Sequence, residues 1–464
     1  MIHSEWRSMK GVRSPKRYAL TCKTKKNSSP PPTQFCVLEV MWGIRLSLLS
    51  NLAALALSYK VVSVTDFGAV GDNATDCTAA FRSAFAAVSS AGGGEVIVPM
   101  QAPPSPSIFK TAPFNISSNT VFTVSATVWA IENATLFPKV ATPPSYLSSF
   151  PPWRHHPFVW APNATNVTIR GDGVLNGGGP YWWTSPEAHQ ETRPHLLELH
   201  NVSGAEVTGV TLHNSAFWTF RPIYCTNVWI HDMRIEETYG AGDNTDGMDI
   251  DSSTNVLVEN NYVSCGDDHF TVLAGAGASG IAFAMPSRNV TIRDNVLGTG
   301  MGMSVGSSVS GGVEDVTYQR NVMTEGRYVN ASTYGFWGQG AHIKTRVSYG
   351  GYIRNIAYLD NVIVSASTQG ILVETDYQSG GECNATTCTE IRDITFRNFT
   401  VNIVGTMGGN GGPGDIGCYK ARPCVNFTFQ DIYINTTASW SCRNLTSITV
   451  NNVTPGGLQE ACGL

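Results

Sequence analysis

Asn227-Val228-Trp229-Ile230, Asn255-Val256-Leu257-Val258 and Asn289-Val290-Thr291-Ile292 repeat one pattern: a turn-forming Asn followed by a short run of β-branched and apolar residues. Variants of it run through the chain as Asn166-Val167-Thr168-Ile169, Val207-Thr208-Gly209-Val210, Val313-Glu314-Asp315-Val316, Ile353-Arg354-Asn355-Ile356 and Ile391-Arg392-Asp393-Ile394. The intervals are mostly roughly 20 to 40 residues, the range of stacked structural repeats. A strand this short cannot bury its apolar face alone and needs a neighbour above and below. A leucine-rich repeat would place Leu at fixed offsets, a propeller would carry one aromatic or glycine signature per blade, and a sandwich would alternate on one face only; none of these patterns is present. Variable spacing between apolar runs with Asn-rich turns fits an all-β chain coiled as a parallel β-helix, whose turns accept loops of any length.

Upstream of the repeats, Val61 to Val70 reads as a strand. Thr75-Asp76 then offers an N-cap to a helix carrying Ala79, Ala80, Phe81, Ala84, Phe85 and Val88 at helical spacing, stopped by Gly92-Gly93-Gly94. That helix is expected to cap the open end of the stack and cover edge groups that would otherwise pair with another chain. The composition agrees. Of 464 residues, 42% are hydrophobic and 14% charged, which excludes a disordered chain. Gly reaches 46, as a turn-rich fold requires.

The net charge of -5 hides a segregation. Eight Lys/Arg lie in residues 1 to 40 and a ninth is Arg45, against Glu5 and Glu39; the remaining body carries 21 basic and 33 acidic residues, a net of -12. So acidic a body disfavours nucleic acid as a partner, without excluding a local cationic groove for an anionic polymer. Residues 1 to 40 read as a mispredicted or disordered extension. From Met41, Trp42-Gly43-Ile44-Arg45 leads into the apolar run Leu46 to Leu57 and the small-residue exit at Ser58, the anatomy of a secretory signal and too short to span a bilayer. Residues 59 to 464 are then expected to form the β-helix domain, secreted to the extracellular space or a cell wall, as a monomer.

Secretion accounts for two further features, because disulfides persist and Asn-x-Ser/Thr sites are glycosylated in that compartment. Sequons are dense, among them Asn73, Asn115, Asn133, Asn163, Asn166, Asn201, Asn289, Asn330, Asn384, Asn398, Asn426, Asn435, Asn444 and Asn452. Two of the 11 Cys, Cys22 and Cys36, precede the signal. The late ones suggest the small-loop pairs Cys383/Cys388, Cys418/Cys424 and Cys442/Cys462. Cys77, Cys225 and Cys265 stand apart, and an odd total leaves at least one thiol free. No pair has zinc spacing, and neither a structural metal nor a cofactor is expected.

In a parallel β-helix, residues one coil apart in sequence lie about 4.8 Å apart in space. Asn244-Thr245-Asp246-Gly247-Met248-Asp249-Ile250-Asp251 precedes Gly266-Asp267-Asp268 by about one coil, so these carboxylates meet. Later coils bring Gly300-Met301-Gly302 and His342-Ile343-Lys344-Thr345. Paired Asp residues beside a Lys suit glycosidic hydrolysis, one protonating the leaving oxygen and another activating water while Lys344 binds a sugar carboxylate. Two readings compete: Asp in Asn/Gly-rich sequence commonly forms solvated turns, and clustered carboxylates bind hard cations, although no EF-hand spacing is present.

At these residues the chain resembles glycoside hydrolase family 28, the polygalacturonases and related pectin hydrolases. The family's NTD motif matches Asn244-Thr245-Asp246, with Gly247 and Asp249 also fitting; its DD motif matches Gly266-Asp267-Asp268; its RIK motif appears as His342-Ile343-Lys344. Phe67-Gly68-Ala69-Val70-Gly71-Asp72 is similar to the family's opening strand and cap, and Asn214-Ser215-Ala216-Phe217-Trp218-Thr219 to its NSPFWT-like coil. The likeness covers about residues 61 to 455. It implies a right-handed parallel β-helix, a pectic polysaccharide substrate, cleavage of α-1,4-galacturonosyl bonds, and inversion in which Asp267 donates the proton while Asp246 with Asp268 activates water. One strand spacing plus side-chain divergence would allow the roughly 6.5 to 9.5 Å gap that houses the water. An acidic optimum follows if Asp267 stays protonated.

Two positions depart from the family. The His of its GHG motif is replaced by Met301, and the Arg of RIK by His342, leaving one permanent cation fewer in the substrate subsites. Some plant-type members also lack the GHG histidine. Asn244, Lys344, His342, Arg346 and Trp337 are the expected substrate-binding residues. His269, next to the Asp pair, is expected to pack or hydrogen-bond and not to catalyse, and Trp182, Trp183 and Trp218 to stack in the core in preference to carrying sugar. Three alternatives stay open: a rhamnogalacturonan or other substituted-pectin hydrolase, a β-helix polysaccharide lyase, and a catalytically silent pectin-binding protein.

Overall fold

The computed structural model describes residues 59–184, 192–237, 242–325, 338–366, 368–403 and 411–464. Residues 1 to 58, with the expected extension and signal, and Trp337 lie outside the described residues. Among the described residues no helix is long and apolar enough to cross a membrane.

From Lys60 to Thr454 the chain winds through parallel strands that form three faces. The first face carries the repeated pattern: Thr165–Arg170, Ser203–Thr208, Thr226–His231, Thr254–Glu259, Ser287–Arg293, Val313–Gln319, Tyr352–Leu359 and the start of Glu390–Ile403 pair in sequence order. The second face takes shorter strands, such as Arg234–Glu236, Tyr262–Ser264, Val296–Leu297 and Val322–Met323. The third is an eleven-stranded sheet running from Phe114–Asn115 to Ser441–Arg443. This is the expected parallel β-helix. Val207-Thr208-Gly209-Val210 is not one strand, however: the strand ends at Thr208, and Gly209, at φ 78°, makes the corner.

The turn Asn of each repeat has a structural reason. Asn166, Asn227, Asn255, Asn289 and Asn355 all sit at φ between 52° and 59°, the left-handed region that Asn tolerates better than other side chains. Asn166, Asn255, Asn289 and Asn355 then lend their amides to the coil below, Asn255 Nδ2 to Asn227 Oδ1 at 3.0 Å and Asn289 Nδ2 to Asn255 Oδ1 at 2.8 Å. Coils of 28, 34 and 40 residues share this register, so the loops absorb the difference in length.

Behind the turns, inward residues stack in columns. Ile230, Val258, Ile292, Tyr318, Tyr358, Phe396 and Phe429 are in register and fully buried. The four rings stack nearly parallel at 4.8, 5.1 and 5.2 Å between centroids. A second column is polar: Asn261 Nδ2 donates to Asn295 Oδ1 at 2.9 Å, Asn295 to Asn321 at 2.9 Å, and Asn321 to Asn361 at 3.0 Å. Each of these oxygens also accepts the backbone N–H of the preceding Asn, so four buried amides are satisfied at the corner between the first and second faces.

The cap forms with two adjustments. Val61 to Val70 is a four-residue strand, Lys60–Ser63, and then a 3-10 turn, Val64–Phe67, because Ser63 and Asp66 make a reciprocal capping box there. The helix spans Thr78–Ser90 with Cys77 at the N-cap position; Asp76 contributes from one residue earlier by accepting the Thr78 N–H at 2.9 Å. Ala79 faces outward, and the buried stripe is Ala80, Phe81, Ala84, Phe85 and Val88. Phe85 stacks on Phe114 at 5.1 Å, closing the first coils. At the other end the three expected disulfides are present, Cys442–Cys462 tying the terminal helix Leu458–Cys462 to the last strand of the third face, while Cys77, Cys225 and Cys265 are free and buried.

The polar column yields a stability prediction. Asn321→Leu removes the acceptor for two N–H groups of Asn295 and a donor to the Ile292 carbonyl. Unmatched buried groups of this kind cost about 1–3 kcal/mol each. A loss of about 3 kcal/mol in urea unfolding is expected; a midpoint equal to that of the unchanged chain would contradict the role given to the column.

Candidate active site

The third face builds one wall of a cleft of about 930 Å³. Its outward positions come from successive coils in register: Asp249 opposite Thr271, then Ser304, His342, Leu372 and Asp415. Lys344, one alternation further along its strand, lies opposite Glu374, and Ile343 between them faces the core.

Asp246 and Asp268 each stand two residues before a strand of this face, Met248–Asp251 and Phe270–Leu273, which pair from Met248 and Phe270. The ladder already runs through the approach, with Gly247 N–H donating to the Asp268 carbonyl at 2.9 Å. The two carboxylates are therefore stacked one coil apart, and Asp267 joins them: one oxygen from each of the three lies within 4.8 Å of the others. That is tighter than the roughly 6.5 to 9.5 Å expected between acid and base.

Their environments differ. Asp268 is buried, with Oδ2 2.7 Å from the Lys344 ammonium and Oδ1 accepting from Ser304 Oγ at 2.7 Å. Burial disfavours the Lys344 charge, but Asp268, Tyr377 and Asp267 outweigh it and raise its pKa. Asp267 is half-buried, accepts from Asn244 Nδ2 at 3.3 Å and from the Asp268 N–H at 2.9 Å, and has its pKa pushed up to about 7 by burial and then by the Asp268 charge. Asp246 is buried, and its Oδ1 has no hydrogen-bond partner; burial and the charge of Asp267 raise its pKa well above the usual carboxylate range. Three carboxylates thus divide into a pinned ion, a neutral-leaning acid and an oxygen awaiting a partner. A divalent cation would need most of these oxygens at once, and Asp268 has both of its own already engaged.

His269 packs and hydrogen-bonds, as expected. Fully buried, it donates from Nε2 to the Gly298 carbonyl at 2.9 Å and accepts the Gly302 N–H on Nδ1 at 3.1 Å, which fixes the neutral tautomer. Its ring fills the space beside Gly300, where a Cβ would come within 2.5 Å of it. Met301 lines the cleft, half-buried, one coil beyond the Asp pair, with its N–H on the Asp267 carbonyl at 2.7 Å. His342 also lines the cleft; it is 2% exposed and neither ring nitrogen has a hydrogen-bond partner. Arg346 reaches the cleft edge and donates to Gln378 at 2.7 Å.

The aromatic residues depart from expectation. Trp182 is in the core, but Trp218 lines the cleft, stacked on His195 at 5.4 Å and with the Arg221 guanidinium 4.7 Å from its ring. The preceding coil is held by Glu237, which accepts the Ser215 N–H at 2.9 Å and whose pKa burial pushes up to about 8. Tyr377, absent from the sequence expectations, lines the cleft with its ring 4.9 Å from the Lys344 ammonium. Its only signal in the sequence is its place three residues after Glu374, one coil past Lys344.

Comparison with known proteins gives the family. The family model described as glycosyl hydrolases family 28 matches residues 151–454. The chain belongs to that family. The Vitis vinifera protein named "Probable polygalacturonase" is 31% identical over 65% of this chain and 62% of its own length, and the "Endo-polygalacturonase" of Pectobacterium carotovorum is 26% identical over 62% of this chain and 68% of its own. The chain thus matches a little under two thirds of the grape protein. Among solved structures, the family 28 exopolygalacturonase of Yersinia enterocolitica superposes with a TM-score of 0.71 at 20% identity, over 86% of this chain and 76% of that one. The exopolygalacturonase of Thermotoga maritima gives 0.64 at 24% identity, over 84% and 91%. At such identities they show a shared β-helix fold.

The Lys344–Asp268 pair makes a prediction independent of substrate. Lys344→Met leaves a buried carboxylate without its cation and should cost about 3–5 kcal/mol, whereas Lys344→Met with Asp268→Asn should recover most of that loss, because a neutral pair is close to even with a buried ion pair. Thermal unfolding of both variants reads the difference; equal destabilisation would show that the pair is not coupled.

Proposed function

We propose that this family 28 member is a secreted hydrolase of α-1,4-galacturonosyl bonds in pectin that acts by inversion, with Asp267 as general acid. The observation that carries the reading is that three adjoining carboxylates sit in different environments. Asp267, with its pKa near 7, keeps a proton to give to the leaving glycosidic oxygen. Asp246 Oδ1, buried and unpartnered, is the atom to hold the attacking water, and Asp246 serves as its base in the state where the proton held among these neighbouring carboxyls lies on Asp267. Asp268, with both oxygens engaged by Lys344 and Ser304, is poorly placed to act as a covalent nucleophile and instead fixes Lys344 beside the reacting bond. Asn244, Lys344, His342 and Arg346 serve as substrate contacts. The separation of the carboxylates does not itself argue for inversion; the support is the engaged state of Asp268 and the family resemblance.

The test has three readouts. Asp267→Asn should retain the fold and substrate binding while lowering kcat by about 10² to 10⁴, the usual worth of general acid catalysis. Activity of the unchanged enzyme should fall as pH rises through about 7, where the donor loses its proton, and that alkaline limb should vanish from the residual activity of the variant. Proton NMR of the first-formed product should show the inverted anomer. Near-normal turnover by the variant, or a retained anomer, would overturn the assignment.

We also infer that the mature chain begins near Tyr59. The apolar run before it and three small-loop disulfides support export. Mass spectrometry of the protein recovered from culture medium should find an N-terminus within a few residues of Tyr59 and N-glycan masses on exposed sequons. An intact residue 1 to 58 segment on unglycosylated intracellular protein would refute both.

A further inference from the structure

The cleft contains a position where the cation expected beside a uronate carboxylate is absent and anions stand in its place. His342 occupies the outward row between Ser304 and Leu372, with Asp415 next. Its imidazole is 2% exposed, and burial lowers its pKa, so it faces the cleft as a neutral ring. Nε2 lies 3.6 Å from Glu374 Oε2, beyond hydrogen-bond range, and Nδ1 is equally unpartnered. A buried polar side chain with two unsatisfied nitrogens at a cleft wall is built to meet a ligand.

The charges nearest to it disfavour one kind of ligand. Lys344 is committed to Asp268 at 2.7 Å. Arg443 lies between Asp415 at 3.4 Å and Asp376 at 3.8 Å, and Arg346, two residues beyond Lys344 at the cleft edge, keeps its charge because its partner Gln378 is neutral. Glu374 remains beside His342 with no cation of its own at ion-pair distance among the described residues. A free carboxylate set over His342 would meet the charge of Glu374, which has no cation within ion-pair distance among the described residues, a like-charge contact that binding sites use to reject a ligand.

We propose that the subsite formed by His342 and Glu374 takes a sugar residue with no charge at C6, a methyl-esterified uronate or a neutral sugar, and discriminates against the free acid. This rests on the pectin-hydrolase reading and narrows its substrate class. The His342 nitrogens serve an ester carbonyl or a ring hydroxyl, and Glu374 accepts from a hydroxyl. Asp376 and Asp415, neutralised in part by Arg443, keep the adjoining wall unfavourable to a second free carboxylate.

The test is calorimetric binding to the Asp267→Asn protein of three hexasaccharides: unesterified galacturonate, fully methyl-esterified galacturonate, and galacturonate alternating with a neutral 6-deoxyhexose. At least about tenfold tighter binding of one of the uncharged-residue ligands over the free acid is expected, and whichever binds better identifies the residue. His342→Arg and Glu374→Gln, each added to Asp267→Asn, should move the ratio toward the free acid. Glu374, with a side chain 34% exposed, keeps the test valid if the buried histidine position rejects Arg. Equal or tighter binding of the unesterified hexamer, or a ratio unmoved by Glu374→Gln, overturns the proposal. Reducing-end release by the unchanged enzyme is read separately: none from any of the three would overturn the hydrolase assignment while the binding ratio still decides the subsite.

Discussion

Each coil has to bring the chain back to the same point one strand spacing further on, and the rest of the structure depends on that return. The left-handed Asn corners set where a coil begins, as at Asn227, Asn255 and Asn289, and the inward columns from Ile230 to Phe429 accept no other phase. A slip of one residue would turn every core side chain into solvent. Because the phase is fixed, residues far apart in sequence become neighbours without any local device. Asp268 and Lys344 are 76 positions apart, yet their charges meet at 2.7 Å.

This explains what could be read from the chain beforehand. Asp246, Asp267 and Asp268 were legible because corner and strand signals flank them on consecutive coils, so counting coils was enough to bring them together. Lys344 followed from the same count. Tyr377, Trp218 and Glu237 were not legible, since their roles depend on how loops and corners fold over the third face, which strand periodicity does not encode. The cap slipped by a residue for a local reason: Thr75, Asp76 and Thr78 all offer side-chain oxygens, and the helix starts where Lys110 can accept the Cys77 N–H.

Sequon density has a second cause that the sequence conceals. Asn163, Asn166, Asn201, Asn289, Asn398, Asn426, Asn444 and Asn452 all have positive φ, so the fold itself requires a residue such as Asn there. A turn Asn followed by an inward apolar residue and an outward Thr spells Asn-x-Thr as a by-product of coil geometry. Asn166, Asn201 and Asn289 also spend their amides on neighbouring Asn side chains. The abundance of such triplets is therefore weaker evidence for an exported glycoprotein than it looks, and the disulfides carry more of that inference.

The pairing of Lys344 with Asp268 also bears on how the molecule fails. In a stack whose coils contact only their neighbours, unfolding can begin at an end and move inward. The ion pair belongs to two coils with Ser304 between them, so it acts as a clasp across three layers. Fraying that reached the Lys344 coil from the C-terminal side would strip Asp268 of its cation while the coils before it still stood. Chemistry would then stop before most of the scaffold had melted, and catalytic competence becomes a local gauge of integrity at the middle of the stack.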